Sequence, residues 1–149
     1  MKILEAQNAV LTNYEVYQFL LERKNRKDGN RSRRGPPNYE TLVKEVLEHL
    51  ETNPNPLSQR PLTYTPEAIP LLIEKLHPYD LTKGEMIMII NLRPGSIPAL
   101  NCIVEDMVER LYDHQQEEVL GIISETLGAF PAPEETAEGD EGAADEEAA

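Results

Sequence analysis

The sequence predicts an all-α fold: an N-terminal extended arm and helices, followed by a compact helical bundle. Three observations carry this reading. Helix-start signals recur, since Thr12 with Glu15 and Thr82 with Glu85 have capping-box spacing. Thr65-Pro66-Glu67 adds a cap, a first-turn proline and a first-turn acid in order. Apolar residues between these signals return at helical spacing, and the connections from Thr65 to Gly128 are only a few residues long. Short connections make successive helices neighbours. The pattern predicts about six helices, four of them between Thr65 and Gly128.

The elements follow in order. Met1 to Leu11 alternates loosely and has no helix cap before Thr12, so it reads as an extended arm with a strand. A lone strand is marginally stable and needs a sheet, and none is evident elsewhere in the chain. The sheet would then come from a partner. The helix after Thr12 carries Val16, Phe19 and Leu20 on one face, widened by Tyr17 and Leu21. It fades into a basic, Gly- and Pro-containing stretch, 23–37, that predicts a flexible, disordered loop. Asn38 is placed to cap a second helix with Leu42, Val43, Val46, Leu47 and Leu50 at helical spacing. Pro54 and Pro56 close it, and NPNPLSQRPL reads as a rigid, extended linker. Leu71, Leu72, Ile73 and Leu76 follow the Thr65 start, where Pro70 should bend the first turn or delay the helix.

The segment LTKGEMIMIINLRPGS is the densest in signals. Met86, Ile87, Ile89 and Ile90 form an apolar stripe expected in the core. Arg93-Pro94-Gly95 stops the helix, because proline cannot continue it and the preceding residue avoids the α region. Ser96 then caps a helix expected to carry Ile97, Leu100, Ile103, Val104, Met107 and Leu111. Asp113, with Gln116, begins the last one, whose stripe is Val119, Leu120, Ile123 and Leu127 and whose cap is Gly128. The boundaries this implies are 1–53 for the arm and first helices, 54–64 for the linker, 65–128 for the helical domain and 129–149 for a disordered acidic tail.

Charge is distributed unevenly. The chain has 27 acidic and 14 basic residues, a net charge of -13. Eight of the acids lie from Pro131 onward, which leaves 19 against 14 in the rest. Arg23 to Arg34 holds seven basic residues and one acidic one. Nucleic-acid affinity is largely phosphate neutralisation, so an acidic chain makes a poor stand-alone nucleic-acid binder. The basic stretch lacks interleaved aromatics for base stacking and reads first as a solubilising loop. A single cysteine, Cys102, excludes an intramolecular disulfide and is expected as a small buried apolar residue. MKILEAQNAV is too short and polar for a signal peptide, and no apolar run approaches a membrane span. The expectation is a soluble, intracellular protein without membrane contact.

No constellation suggests a reaction. There is no GxxxxGK[ST], GxGxxG or HExxH, and His49, His77 and His114 are scattered. His77, before Pro78, reads as a turn residue and His114 as a solvated first-turn residue. Glu105, Asp106 and Glu109 fall on polar positions of an amphipathic helix and read as a solvated face. The tail lacks the ligand alternation of a calcium loop. No catalytic residue, cofactor or metal is expected.

Three blocks carry a family resemblance. LTNYEVYQFLLE (Leu11–Glu22), TPEAIPLLIEKLHPYDLTKGEMIMIINLRP (Thr65–Pro94) and VERLYDHQQEEVLGII (Val108–Ile123) resemble the smaller stalk subunits of nuclear and archaeal RNA polymerases. The likeness spans nearly all of Met1–Gly128 and is nearest to the RNA polymerase III branch, since the family block starts almost at Met1. The basic loop and acidic tail match no family motif. The resemblance implies a non-catalytic nuclear subunit with an HRDC-like helical module. It would pair with the larger OB-fold stalk subunit on the RNA polymerase III core. The heteromeric complex would support initiation at small non-coding RNA genes (tRNA, 5S rRNA), with nucleic-acid contact at most indirect or weak. The implied partner contacts are Ile3, Leu4, Leu11, Tyr14, Val16 and Tyr17. Two other readings stay open: an independent HRDC-like nucleic-acid-binding module, and the equivalent stalk subunit of RNA polymerase II.

Overall fold

The computed structural model describes residues 9–25 and 36–129. Seven α-helices occur among them: α1 (Asn13–Asn25), α2 (Pro37–Leu50), α3 (Ala68–Leu76), α4 (Lys83–Leu92), α5 (Ile97–Asn101), α6 (Met107–Arg110) and α7 (Asp113–Leu127). Two 3-10 turns, Pro56–Ser58 and His77–Tyr79, join them. The described residues contain no strand, so the fold is all-α as expected. No helix among them is long and apolar enough to cross a membrane. The expected N-terminal strand, most of the basic loop and the acidic tail lie outside the described residues.

Several starts follow the sequence signals. The Glu15 carboxylate accepts from Thr12 N–H at 2.7 Å, and Thr12 Oγ1 accepts from Glu15 N–H at 3.2 Å. The Thr82–Glu85 box at α4 is likewise reciprocal. Thr65 Oγ1 accepts from Ala68 N–H at 3.1 Å, and α3 begins only there, the delay Pro70 imposes. Ser96 caps α5 and Gly128, at φ +85°, ends α7.

Other expectations are corrected. Asn38 does not cap α2: the helix begins at Pro37, whose missing N–H suits the first position. The single helix expected from Ile97 to Leu111 is two short ones, because residues 102–106 leave the helical path and Asp106 adopts a left-handed φ of 48°. That break turns Cys102 outward, so it is exposed rather than buried. The 54–64 stretch is not an extended linker. Pro56 and Leu57 are buried in a 3-10 turn, Asn55 caps that turn, and Tyr64 is buried too.

One hydrophobic cluster spans the described chain. It includes Tyr14, Tyr17 and Leu20 of α1, Leu47 and Leu50 of α2, Leu57, Tyr64, and the inner faces of α3 to α7. Leu72, Leu76, Ile89, Leu100, Val119 and Leu127 have no exposure. Within the α4 stripe Ile89 and Ile90 are buried, whereas Met86 and Ile87 are half-buried. On α1 the inward face is Tyr14, Tyr17 and Leu20, with Val16 and Leu21 beside it, and Phe19 faces out. Helix α3 packs on α7, where Lys75 Nζ meets Glu125 at 2.7 Å and Tyr79 Oη donates to Glu118 at 2.9 Å. Exposed pairs of this kind add little to stability, so apolar burial holds the two helices together.

Candidate partner interface

The expected contact residues separate in the structure. Ile3 and Leu4 lie outside the described residues. Leu11 is 56% exposed, while Val16 is half-buried. Tyr14 and Tyr17 face the chain's own core. The Tyr14 ring lies 5.7 Å from the Tyr64 ring, and Tyr17 Oη donates to Glu51 at 2.8 Å. Burial pushes both phenols up, Tyr14 further through Glu67 and Tyr17 further through its bond to Glu51. Their geometry gives them a packing role: they fasten α1 to α2 and to the 51–64 segment.

The surface begins where α1 meets α4. Asn13 N–H donates to Asn91 Oδ1 at 2.8 Å, which brings the chain entering α1 to the last turn of α4. Val10 and Leu11 precede that bond and Leu92 follows Asn91. All three are about half exposed, and so is Met88, one turn before Leu92. Four exposed large apolar residues therefore lie within three positions in sequence of the two ends of one hydrogen bond. Scattered exposed apolar residues are ordinary, and the grouping of these four along the chain makes the junction the candidate interaction surface. No signal in the sequence assigned Val10, Met88 or Leu92 to it. Met88 lies within an apolar run, and only the register fixed by the Thr82 cap shows which members face out.

The junction is held from behind by Arg93. This residue ends α4 in a left-handed conformation, φ 45°, and is 1% exposed. Its guanidinium donates to Thr63 Oγ1 at 2.8 Å, to the Leu127 carbonyl at 2.5 Å and to Gln59 Oε1. It lies 5.6 Å from the Tyr64 ring centroid, and Tyr64 Oη donates to the Ile90 carbonyl at 2.7 Å. Burial pushes the Tyr64 phenol up to about 12, with Arg93 opposing the shift. The ends of α4 and α7 and the 59–64 segment are thus fixed together. At the other end of α4, Glu85 is buried and accepts from Arg110 Nη1 at 2.6 Å and from Glu105 N–H at 3.0 Å. The Arg110 bond dominates burial and holds the Glu85 carboxyl down at about 2.

The three histidines are exposed, and His114 stacks on Tyr112 at 5.8 Å. No group of His, Cys, Asp and Glu among the described residues could hold a metal ion.

The model of the family described as RNA polymerase Rpb4 matches residues 10–127. The chain belongs to the RNA polymerase Rpb4 family. The matched span runs from the first exposed apolar residue of the junction, Val10, to Leu127, whose carbonyl Arg93 holds. The chain is 30% identical over 137 residues to the DNA-directed RNA polymerase III subunit rpc9 of Schizosaccharomyces pombe, covering 88% of this chain and 100% of that protein. It is 27% identical over 158 residues to the DNA-directed RNA polymerase III subunit RPC9 of Saccharomyces cerevisiae, covering 83% and 98%. Rpb4-family relatives of this kind are named as subunits of a polymerase.

Proposed function

We propose that the chain is a non-catalytic stalk subunit of RNA polymerase III. It pairs with the larger OB-fold stalk subunit, acts in the nucleus and supports initiation at genes for small non-coding RNAs such as tRNA and 5S rRNA. The observation that carries this reading is the likeness over the full length of the fission-yeast polymerase III subunit. Two physical features support it. An acidic chain suits protein contact better than direct phosphate contact. The exposed junction of Val10, Leu11, Met88 and Leu92 gives such a contact an apolar centre.

In this reading the arm, with Ile3 and Leu4, and the junction form one docking surface for the larger subunit, and residues 65–128 form the helical module behind it. Tyr14, Val16 and Tyr17 serve the interface by fixing the direction of α1. The test is to purify the tagged chain from its source cells and identify the large polymerase chains that accompany it. Recovery of the RNA polymerase III core with the OB-fold subunit is the expected result. Recovery of the RNA polymerase II core instead, or of no polymerase, would overturn the assignment.

A further inference from the structure

A second surface lies between α1 and the start of α3. Phe19, Pro66, Ile69 and Pro70 are the apolar walls of an open groove of about 640 Å³, and Glu15 and Glu22 complete its rim. Its floor is closed by Tyr14, whose hydroxyl accepts from the Gln18 amide. Phe19 is 59% exposed, although α1 turns its neighbour Leu20 into the core. The charge around the groove has one sign. No Lys or Arg among the described residues lines it, and the exposed Glu67 adjoins Pro66.

These features narrow the occupant. Phosphate ligands, nucleic acid and anionic membranes are repelled by the glutamate rim. A small polar ligand would need convergent donors, and the Gln18 amide is engaged with Tyr14. An aromatic wall beside prolines, flanked by carboxylates, matches the groove mode of peptide recognition. We propose that this groove docks a basic, amphipathic segment of a protein partner. Its apolar side chains would pack on Phe19, Ile69 and the two prolines, and its lysine or arginine residues would face Glu15, Glu22 and Glu67. The complementarity is one of field as well as contact. This inference is independent of which polymerase the chain serves.

The test uses the full chain and three fluorescein-labelled peptides read by fluorescence anisotropy. One is an amphipathic leucine–lysine helix, one has the same residues scrambled, and one has glutamate in place of lysine. The ordered basic peptide should bind at least about tenfold more tightly than the scrambled one, and the acidic peptide should not bind. Phe19→Ala should weaken the ordered peptide about tenfold. Glu67→Lys should weaken it too while improving the acidic one. Both residues are exposed, so far-UV circular dichroism should be unchanged in either variant. Equal binding of the scrambled peptide would reduce the effect to bulk charge and overturn the proposal. So would full binding by Phe19→Ala. Sedimentation showing self-association that Phe19→Ala abolishes would assign the groove to a second copy instead.

Discussion

The two ends of α4 each bury a charged side chain, and they do so in different ways. At the start, Glu85 shares its carboxylate among Thr82, Glu105 and Arg110, and that arginine is partly exposed. At the finish, Arg93 is enclosed and spends its guanidinium on uncharged acceptors of the 59–64 segment and the end of α7. The first end is an ion pair that acid can dissolve. The second holds a cation that does not titrate in the accessible range and has no isosteric replacement. One helix therefore has a pH-sensitive lock and a pH-insensitive one, and the exposed stripe Met88–Leu92 runs between them.

Removing the second lock should do the most damage. Arg93→Ala leaves the Leu127 carbonyl, Thr63 and Gln59 without this donor and opens a cavity, which should cost about 3–5 kcal/mol in chemical denaturation. Arg93→Lys keeps the charge and loses the planar fork, so it should recover less than half of that. A loss below about 1 kcal/mol for Arg93→Ala would break the comparison, because the two ends would then not differ.

The first lock should be weaker and should respond to pH. Glu85→Gln should cost about 2 kcal/mol at neutral pH, since Arg110 can turn to solvent once its partner is gone. The sign follows from the carboxyl, which is held at about 2 when folded against an ordinary value of 4.5. Its contribution is present above the ordinary value and is lost as pH falls from there through about 2. Denaturation midpoints of the parent and Glu85→Gln should therefore converge across that window. Parallel profiles would remove the titrating lock.

A smaller effect is expected at Tyr17. Tyr17→Phe deletes the 2.8 Å bond to Glu51 and keeps the packing, for about 1 kcal/mol. The smallest belongs to the surface between the locks. Met88→Ser and Leu92→Ser should shift stability by no more than about 0.5 kcal/mol while weakening docking of the larger stalk subunit. A large stability loss in either would mean that the stripe belongs to the chain's own core.

The same comparison shows what was legible in the sequence. The start of α4 could be read because a capping box is local: Thr82 and Glu85 are three residues apart. Its second task, holding Glu105 and Arg110, depends on residues 20 and 25 positions away. Glu105 lies in the break that separates α5 from α6, which helical spacing alone does not show, and Cys102 is exposed at its start. The finish of α4 is legible as a stop, but the burial of Arg93 rests on partners 30 or more residues away on both sides. Likewise the prolines of 54–64 suggested an extended linker, although Leu57 and Tyr64 carry it into the core. For the interface, an apolar face on α1 was evident. Periodicity could not separate the part that meets the chain's own core, Tyr14 and Tyr17, from the part that meets solvent, Leu11 and Phe19. That division follows from where α2 and Tyr64 pack.

In the proposed function, the Val10–Leu11 and Met88–Leu92 junction docks the larger OB-fold stalk subunit while the Arg93 lock stays internal. Hydrogen–deuterium exchange of the full chain, alone and with that subunit, tests it most directly. New protection is expected at the arm and across residues 9–13 and 86–92, with exchange around 59–64 and 124–127 already slow and unchanged. Protection that appears only elsewhere, or an arm fully protected before the partner is added, would contradict it.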